Sequence, residues 1–232
     1  MATSLTPHSS GRREGLRARA ALVCGSGVGL LAAAFSVVVV ALAPAAGAVP
    51  IPGGDITAVC TGTTSGTTFT LTADCGEVTT SLTVPSSITT VDGGGHIISA
   101  TDLPGPATPQ FNGAVVTNAT AGQTMNVQNV TITGPASGFQ LCANSGFVLY
   151  GIFFNDASGS VSNVTVDHIF QAQNGAFGSC QTGRAIRADG VTAARAVTIT
   201  NTVVRDYQKS GFEARGSMTM NVSGSTAGPP IP

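Results

Sequence analysis

The sequence predicts an all-β protein built as a β-solenoid, and three observations carry that prediction. Four stretches repeat one short pattern: Gly113 to Thr133, Gly151 to Val166, Ala185 to Thr200 and Gly211 to Val222. Each opens on a small residue and an apolar one, passes a polar turn, and closes on an apolar/Thr alternation such as Val130-Thr131-Ile132, Val164-Thr165-Val166, Val197-Thr198-Ile199 or Met218-Thr219-Met220. Alternation places every second side chain on one face, so each closing segment is expected to be a half-buried strand. A unit this small cannot bury its apolar face alone, whereas stacked units share one continuous core. Composition is the second observation: only 9% of residues are charged, and Thr, Val, Ala and Gly abound, which suits stacked strands and excludes disorder. Third, no amphipathic helical period is evident after the first fifty residues.

Residues 1–48 read as a signal peptide. Arg12, Arg13, Arg17 and Arg19 precede an apolar run from Ala20 to Ala43, and Ala46-Gly47-Ala48 supplies a small-x-small cleavage pattern. Arg12-Arg13 opens a twin-arginine reading, although Glu14-Gly15-Leu16 lacks the apolar pair that usually follows. The rival is an uncleaved signal anchor, because the apolar run is long enough to span a bilayer. Beyond residue 48 the chain carries six basic and ten acidic residues, a net −4, which argues against nucleic acid as a partner. Cleavage leaves a secreted protein with no membrane partner.

Export places Cys60, Cys75, Cys142 and Cys180 in an oxidising compartment, and their even number without CxxC spacing favours two disulfides over metal or redox chemistry. Cys142 and Cys180 each precede a new repeat, so loop stacking pairs them and leaves Cys60 with Cys75. Residues 49–110 read as N-terminal strands and an entry coil, with strands at Thr67 to Ala73, Val78 to Val84, Ile88 to Val91 and Ile97 to Ala100. Residues 111–232 hold the repeating coils.

The run Leu82-Thr83-Val84-Pro85-Ser86-Ser87-Ile88-Thr89-Thr90-Val91-Asp92-Gly93-Gly94-Gly95-His96-Ile97-Ile98 resembles the entry segment of secreted right-handed parallel β-helix proteins of the pectin-lyase-like kind from bacteria. In those proteins an apolar strand, a Pro turn and a DGxGH-I phrase begin the first coils. Asp206-Tyr207-Gln208-Lys209-Ser210-Gly211-Phe212 is similar to the turn into a later coil. The likeness covers about residues 55 to 228 and implies the right-handed parallel β-helix fold; it is weak for function, because this scaffold carries lyases, hydrolases, adhesins and inactive proteins. Equivalent positions lie 34 residues apart (Ile152 to Ile186) and then 26 (Ile186 to Phe212), as loop insertions on one side of a solenoid allow. The chain stops at Gly228-Pro229-Pro230-Ile231-Pro232 directly after a strand, so the expectation is a shortened version of a longer β-helix.

Lyases of that kind hold Ca²⁺ with clustered carboxylates and use Arg or Lys as base, and the hydrolases place carboxylates to protonate the leaving oxygen and activate water. The best group here aligns Arg187 with Glu213 and Asp189 with Arg215, giving two opposite-charge pairs, with Asp206 and Lys209 at the rim. Pairs that satisfy each other leave no spare base, so they read first as an ion-pair ladder and second as a charged groove. Tyr150 and an outward Phe153 offer a modest platform for a sugar ring. Asp167-His168 aligns with Thr200-Asn201 and reads as a turn-capping Asp beside a solvated His, and His96 as a turn residue. The Asn-x-Ser/Thr triplets at Asn118, Asn129, Asn163 and Asn221 reflect turn and strand preferences rather than glycan acceptors. The expected function is a non-catalytic secreted scaffold that binds polysaccharide through Arg187, Lys209, Tyr150 and Phe153, with no metal and no cofactor. The alternative is a polysaccharide lyase or glycoside hydrolase using Arg187, Asp189, Asp206, Lys209, Glu213 and Arg215, with Ca²⁺ in the lyase case; the third reading is a truncated, inactive copy of either.

Overall fold

The computed structural model describes residues 50–103, 110–140, 146–173, 176–177 and 182–230. Strands take 59% of the described residues and helix 2%, which makes the described part all-β. The strands run mostly parallel in a curled sheet, an arrangement compatible with a solenoid. The predicted signal peptide, Cys142 and Cys180 lie outside the described residues.

Each pass of the chain visits three parallel ladders in turn. The first face is built from Gly54–Asp55, Leu82–Val84, Gly113–Asn118, Leu149–Asn155 and the opening halves of Gly183–Thr200 and Ser210–Ser223. Thr68–Leu71, Thr90–Asp92, Thr124–Gln128, Ser158–Ser162 and the closing halves of the two long strands form the second. Cys75–Val78, Ile97–Ala100, Thr131–Thr133, Thr165–Asp167, Val203–Val204 and Thr226–Ala227 form the third. Like positions stack along each ladder: Leu82, Val116, Ile152 and Ile186 on the first face, Val91, Val127, Val161 and Ile199 on the second, Ile98, Ile132, Val166 and Val204 on the third, all fully buried. Every coil therefore donates an apolar side chain from each face to one core, which is how short Thr/Val strands gain enough burial to fold.

The predicted strand at Ile97–Ala100 is present with those bounds, whereas Val78 to Val84 divides into the end of Cys75–Val78 and Leu82–Val84, which belong to different faces. The first coil closes with a short helix, Ile56–Val59, whose Ile56 is fully buried, and with an antiparallel strand, Gly62–Ser65, paired to Thr68–Leu71. The Asp55 carboxylate caps the helix by accepting from the Thr57 amide at 2.8 Å. Cys60 and Cys75 are joined in a disulfide, as predicted, with their Cα atoms 5.0 Å apart.

Corners carry the polar residues. Between the second and third faces Asn129, Asn163 and Asn201 sit at φ of 52°, 54° and 48°, and Asn163 Nδ2 donates to Asn129 Oδ1 at 3.3 Å. Asn is the side chain most at home in the left-handed region outside Gly, which accounts for its recurrence at 129 and 163. At the corner between the first and second faces, buried polar side chains fasten each coil to the next. Gln123 Nε2 donates to the Val84 and Pro85 carbonyls at 3.1 Å, and Asn118 Oδ1 accepts from the Asn155 amide at 2.7 Å.

Asp156 continues this series by accepting from the Val191 amide at 3.0 Å, the Thr192 amide at 3.2 Å and the Thr192 hydroxyl. The Thr192 hydroxyl, opposed by burial and aided by both amides and Arg195, holds the Asp156 carboxyl well below the usual carboxylate range. A depressed carboxyl contributes stability that is present above its ordinary pKa and lost as pH falls through the folded one. The acid limb of urea midpoint against pH, below about pH 4, is therefore expected to be shallower in Asp156→Asn than in the parent. Equal slopes would assign the acid sensitivity elsewhere.

The repeat alignment slips in three places, one of them at Met218-Thr219-Met220, which lies opposite Arg195, Ala196 and Val197. Gly113 pairs with Leu149 rather than Gly151, and Val197-Thr198-Ile199 lies on the second face opposite Gly159, Ser160 and Val161. The third-face partner of Val166 is Val204. Apolar-Thr-apolar runs occur on both faces, and a period of two does not say which face a strand occupies.

Candidate functional site

The outward side of the first face gathers the residues expected to form a site. Arg187 and Glu213 are register partners, as are Asp189 and Arg215, so the backbone alignment of that group holds. The ion pairs, however, do not follow it. Arg187 grips Asp189 on its own strand, Nε to Oδ1 at 2.8 Å and Nη2 to Oδ2 at 2.7 Å, and donates from Nη1 to the Tyr150 hydroxyl at 3.0 Å. Glu213 instead accepts from Arg184 Nε, from Arg215 Nε at 2.7 Å and from Ser210 Oγ at 3.1 Å. Side chains two apart on one strand share a face, which lets the planar Arg187 fork meet Asp189 without crossing to the next coil.

Burial opposes the Arg187 charge, but the Asp189 hydrogen bonds, with Tyr150 and Glu213 nearby, raise its pKa above the ordinary value. Glu213 is likewise opposed by burial, yet the Arg184 charge and the bonds from Ser210, Arg184 and Arg215 keep its carboxyl below the usual range. Neither arrangement leaves a proton poised for transfer at Glu213.

Tyr150 does not offer a platform. It is only 5% exposed, and the Arg187 and Arg184 guanidiniums lie 5.0 and 5.6 Å from its ring centroid, with Phe153 packed at 5.0 Å. The faces that would stack on a sugar are occupied by cations and by a second ring. Lys209 is exposed at the corner leading into Ser210–Ser223, its amide donating to the Gly183 carbonyl at 2.7 Å.

Asp206 belongs elsewhere. Because Val204 pairs with Val166, the turn Arg205-Asp206 stacks on Asp167-His168, not on the rim of the Arg187 group. His168 Nδ1 lies 3.0 Å from Asp167 Oδ1, and its Nε2 lies 3.8 Å from Asp206 Oδ2. Arg205 donates from Nε to Asp167 Oδ2 at 2.9 Å, and that bond raises the Arg205 pKa. The aligned Asp167-His168 and Arg205-Asp206 pairs, each following a Val-x-Val or Val-Val strand, are the signal that would have shown this cluster; alignment of Asp167-His168 to Thr200-Asn201 concealed it. His96 Nδ1 lies 3.2 Å from Asp74 Oδ1 beside the Gly93 to Gly95 turn, which Asp92 holds by accepting from the Gly94 amide at 2.9 Å.

No helix among the described residues is long and apolar enough to cross a membrane. No known family model, curated protein or solved structure matches the chain.

Proposed function

We propose that the protein is a secreted right-handed parallel β-helix of the pectin-lyase-like kind that serves as a non-catalytic scaffold and binds an anionic polysaccharide along its first face. The observation that carries this reading is the charge arrangement towards the end of that face: Arg184, Arg187, Arg215 and Lys209 gather there with Asp189 and Glu213, and both of these carboxylates are already held by guanidiniums. The cations outnumber the anions, so the group favours a polyanion, while a carboxyl held below its usual range by guanidiniums, as at Glu213, makes a poor general acid. The Cys60–Cys75 disulfide and the Arg-then-apolar N-terminus support secretion.

Affinity electrophoresis in gels containing pectate or alginate tests the binding. Retardation is expected for the parent and is expected to vanish in Arg215→Ala and Lys209→Ala, whose side chains are exposed, and to weaken steeply with salt. No unsaturated or reducing sugar is expected, with or without Ca²⁺. Turnover that disappears in Asp189→Ala or Glu213→Ala would establish the lyase or hydrolase alternative instead.

A further inference from the structure

The Asp167, His168 and Asp206 cluster lies at the corner where the third face turns into the first, and the scaffold reading gives it no task. Each residue offers one ligand atom within 4.8 Å of the others. Two of the three reach their places through left-handed backbone, His168 at φ 55° and Asp206 at φ 48°, one on each of two stacked coils. Acidic clusters alone are common at such corners. What sets this one apart is Asp167 Oδ1: the side chain is 7% exposed, and this oxygen accepts no hydrogen bond. Its partner oxygen, Oδ2, is taken by Arg205 at 2.8 Å. A buried carboxylate oxygen without a donor is costly, and native proteins rarely leave one so.

His168 Nδ1 lies 3.0 Å from it without the alignment of a hydrogen bond, and Thr133 Oγ1 lies 3.4 Å from the same nitrogen. Two ligand atoms bound at about 2.0–2.2 Å to one ion lie about 3.0 Å apart at a right angle and about 3.4 Å apart at the tetrahedral angle. The spacing of Asp167 Oδ1 and His168 Nδ1 is therefore that of neighbouring ligands. Charge agrees: with a neutral imidazole, two carboxylates and one guanidinium leave the cluster one negative charge in excess. Asp206 is 43% and His168 28% exposed at the side chain, so an ion has an open approach from solvent.

We infer that Asp167, His168 and Asp206 form a site for a single divalent transition-metal ion that ties two successive coils together. The imidazole decides the class of ion, since nitrogen with carboxylate oxygen suits Zn²⁺, Co²⁺ or Mn²⁺, whereas Ca²⁺ seeks six or more oxygens. Arg205 is the positioning residue, because its bond to Oδ2 turns Oδ1 toward His168. The inference departs from the sequence expectation of no metal, and it stands apart from polysaccharide binding on the first face.

Co²⁺ is the probe, added to purified protein stripped by a chelator. One equivalent is expected to bind, to give a visible d–d absorption and to raise the thermal midpoint by preferential binding to the folded state. His168→Asn and Asp206→Asn remove a ligand while keeping a residue that tolerates positive φ, so both are expected to fold with parental circular dichroism. Each is expected to weaken Co²⁺ by more than about a hundredfold, beyond the roughly 10–100-fold typical of second-shell changes. His96→Asn, at the separate His96–Asp74 pair, is expected to bind as the parent does. Absence of the absorption and of any thermal shift in the parent would overturn the inference, as would binding that survives His168→Asn. Glycan retardation of the metal-free protein is read separately, so failure of one proposal leaves the other standing.

Discussion

Gly159→Ala is expected to abolish cooperative unfolding or to lower the urea midpoint more than any surface change. Gly159 stands at φ 153° opposite Met125 on the coil before it, and a Cβ there would lie 1.7 Å from the Met125 carbonyl oxygen and 2.6 Å from its carbon. Those are backbone atoms inside a ladder, with no flexible end to swing aside. The backbone conformation alone costs of order 1–3 kcal/mol for a residue with a side chain, and the overlap adds roughly 1–3 kcal/mol more. Gly95 provides the contrast: it has φ 86° but open space where a Cβ would go, so Gly95→Asn is expected to shift the midpoint little. Equal midpoints for Gly159→Ala and the parent would show that the two coils do not meet at Met125.

Phe154→Ala is expected to cost roughly 3–5 kcal/mol, the range for emptying a fully buried aromatic site. Phe154 has no exposed surface and lies two residues beyond Ile152 on the inward side of the first face, whereas its neighbour Phe153 points outward to Tyr150 and Arg187. Phe153→Ala is therefore expected to remove a ring contact of about 0.5–1.5 kcal/mol and little core volume. Chemical denaturation of the two variants separates them. A reversal of the order would mean that the strand is paired one residue out of register.

The stacked, mostly parallel strands were legible because their cause is local. Ile152, Ile186 and Phe212 recur with apolar neighbours two residues away, and the structure stacks those three residues at the predicted spacing. The Cys60–Cys75 bond was legible because setting Cys142 with Cys180 left only that pair, across a Gly/Thr/Ser turn. What the sequence could not settle was the face to which each apolar-Thr-apolar run belongs, since all three faces present the same alternation to the core. That ambiguity moved Asp206 to the wrong neighbours and left His168 without any. The Arg187 group failed differently: its register was right, but whether a guanidinium reaches across to the next coil or along its own strand depends on rotamers, and Arg184, which holds Glu213, was not among the residues chosen.

The even spacing of the coils bears on how the chain is made. Successive first-face positions are 34, 36, 34 and 26 residues apart, from Leu82 through Val116, Ile152 and Ile186 to Phe212. Loop-closure cost rises by only about 0.6 kcal/mol for each doubling of length, so every coil meets nearly the same entropic barrier. The short helix and antiparallel strand of the first coil shield one end, and the chain leaves the ribosome with that end first. At about 5–20 residues per second a new coil's worth of chain emerges roughly every 2–7 s. Folding dominated by non-local strand pairing takes about milliseconds to a second, so each coil has time to settle on the last before the next appears. Emergence of the chain N-terminus first, during synthesis or, under the proposed secretion, during export, then meters the assembly, and a parallel sheet that would search slowly from a full-length unfolded chain is laid down one layer at a time.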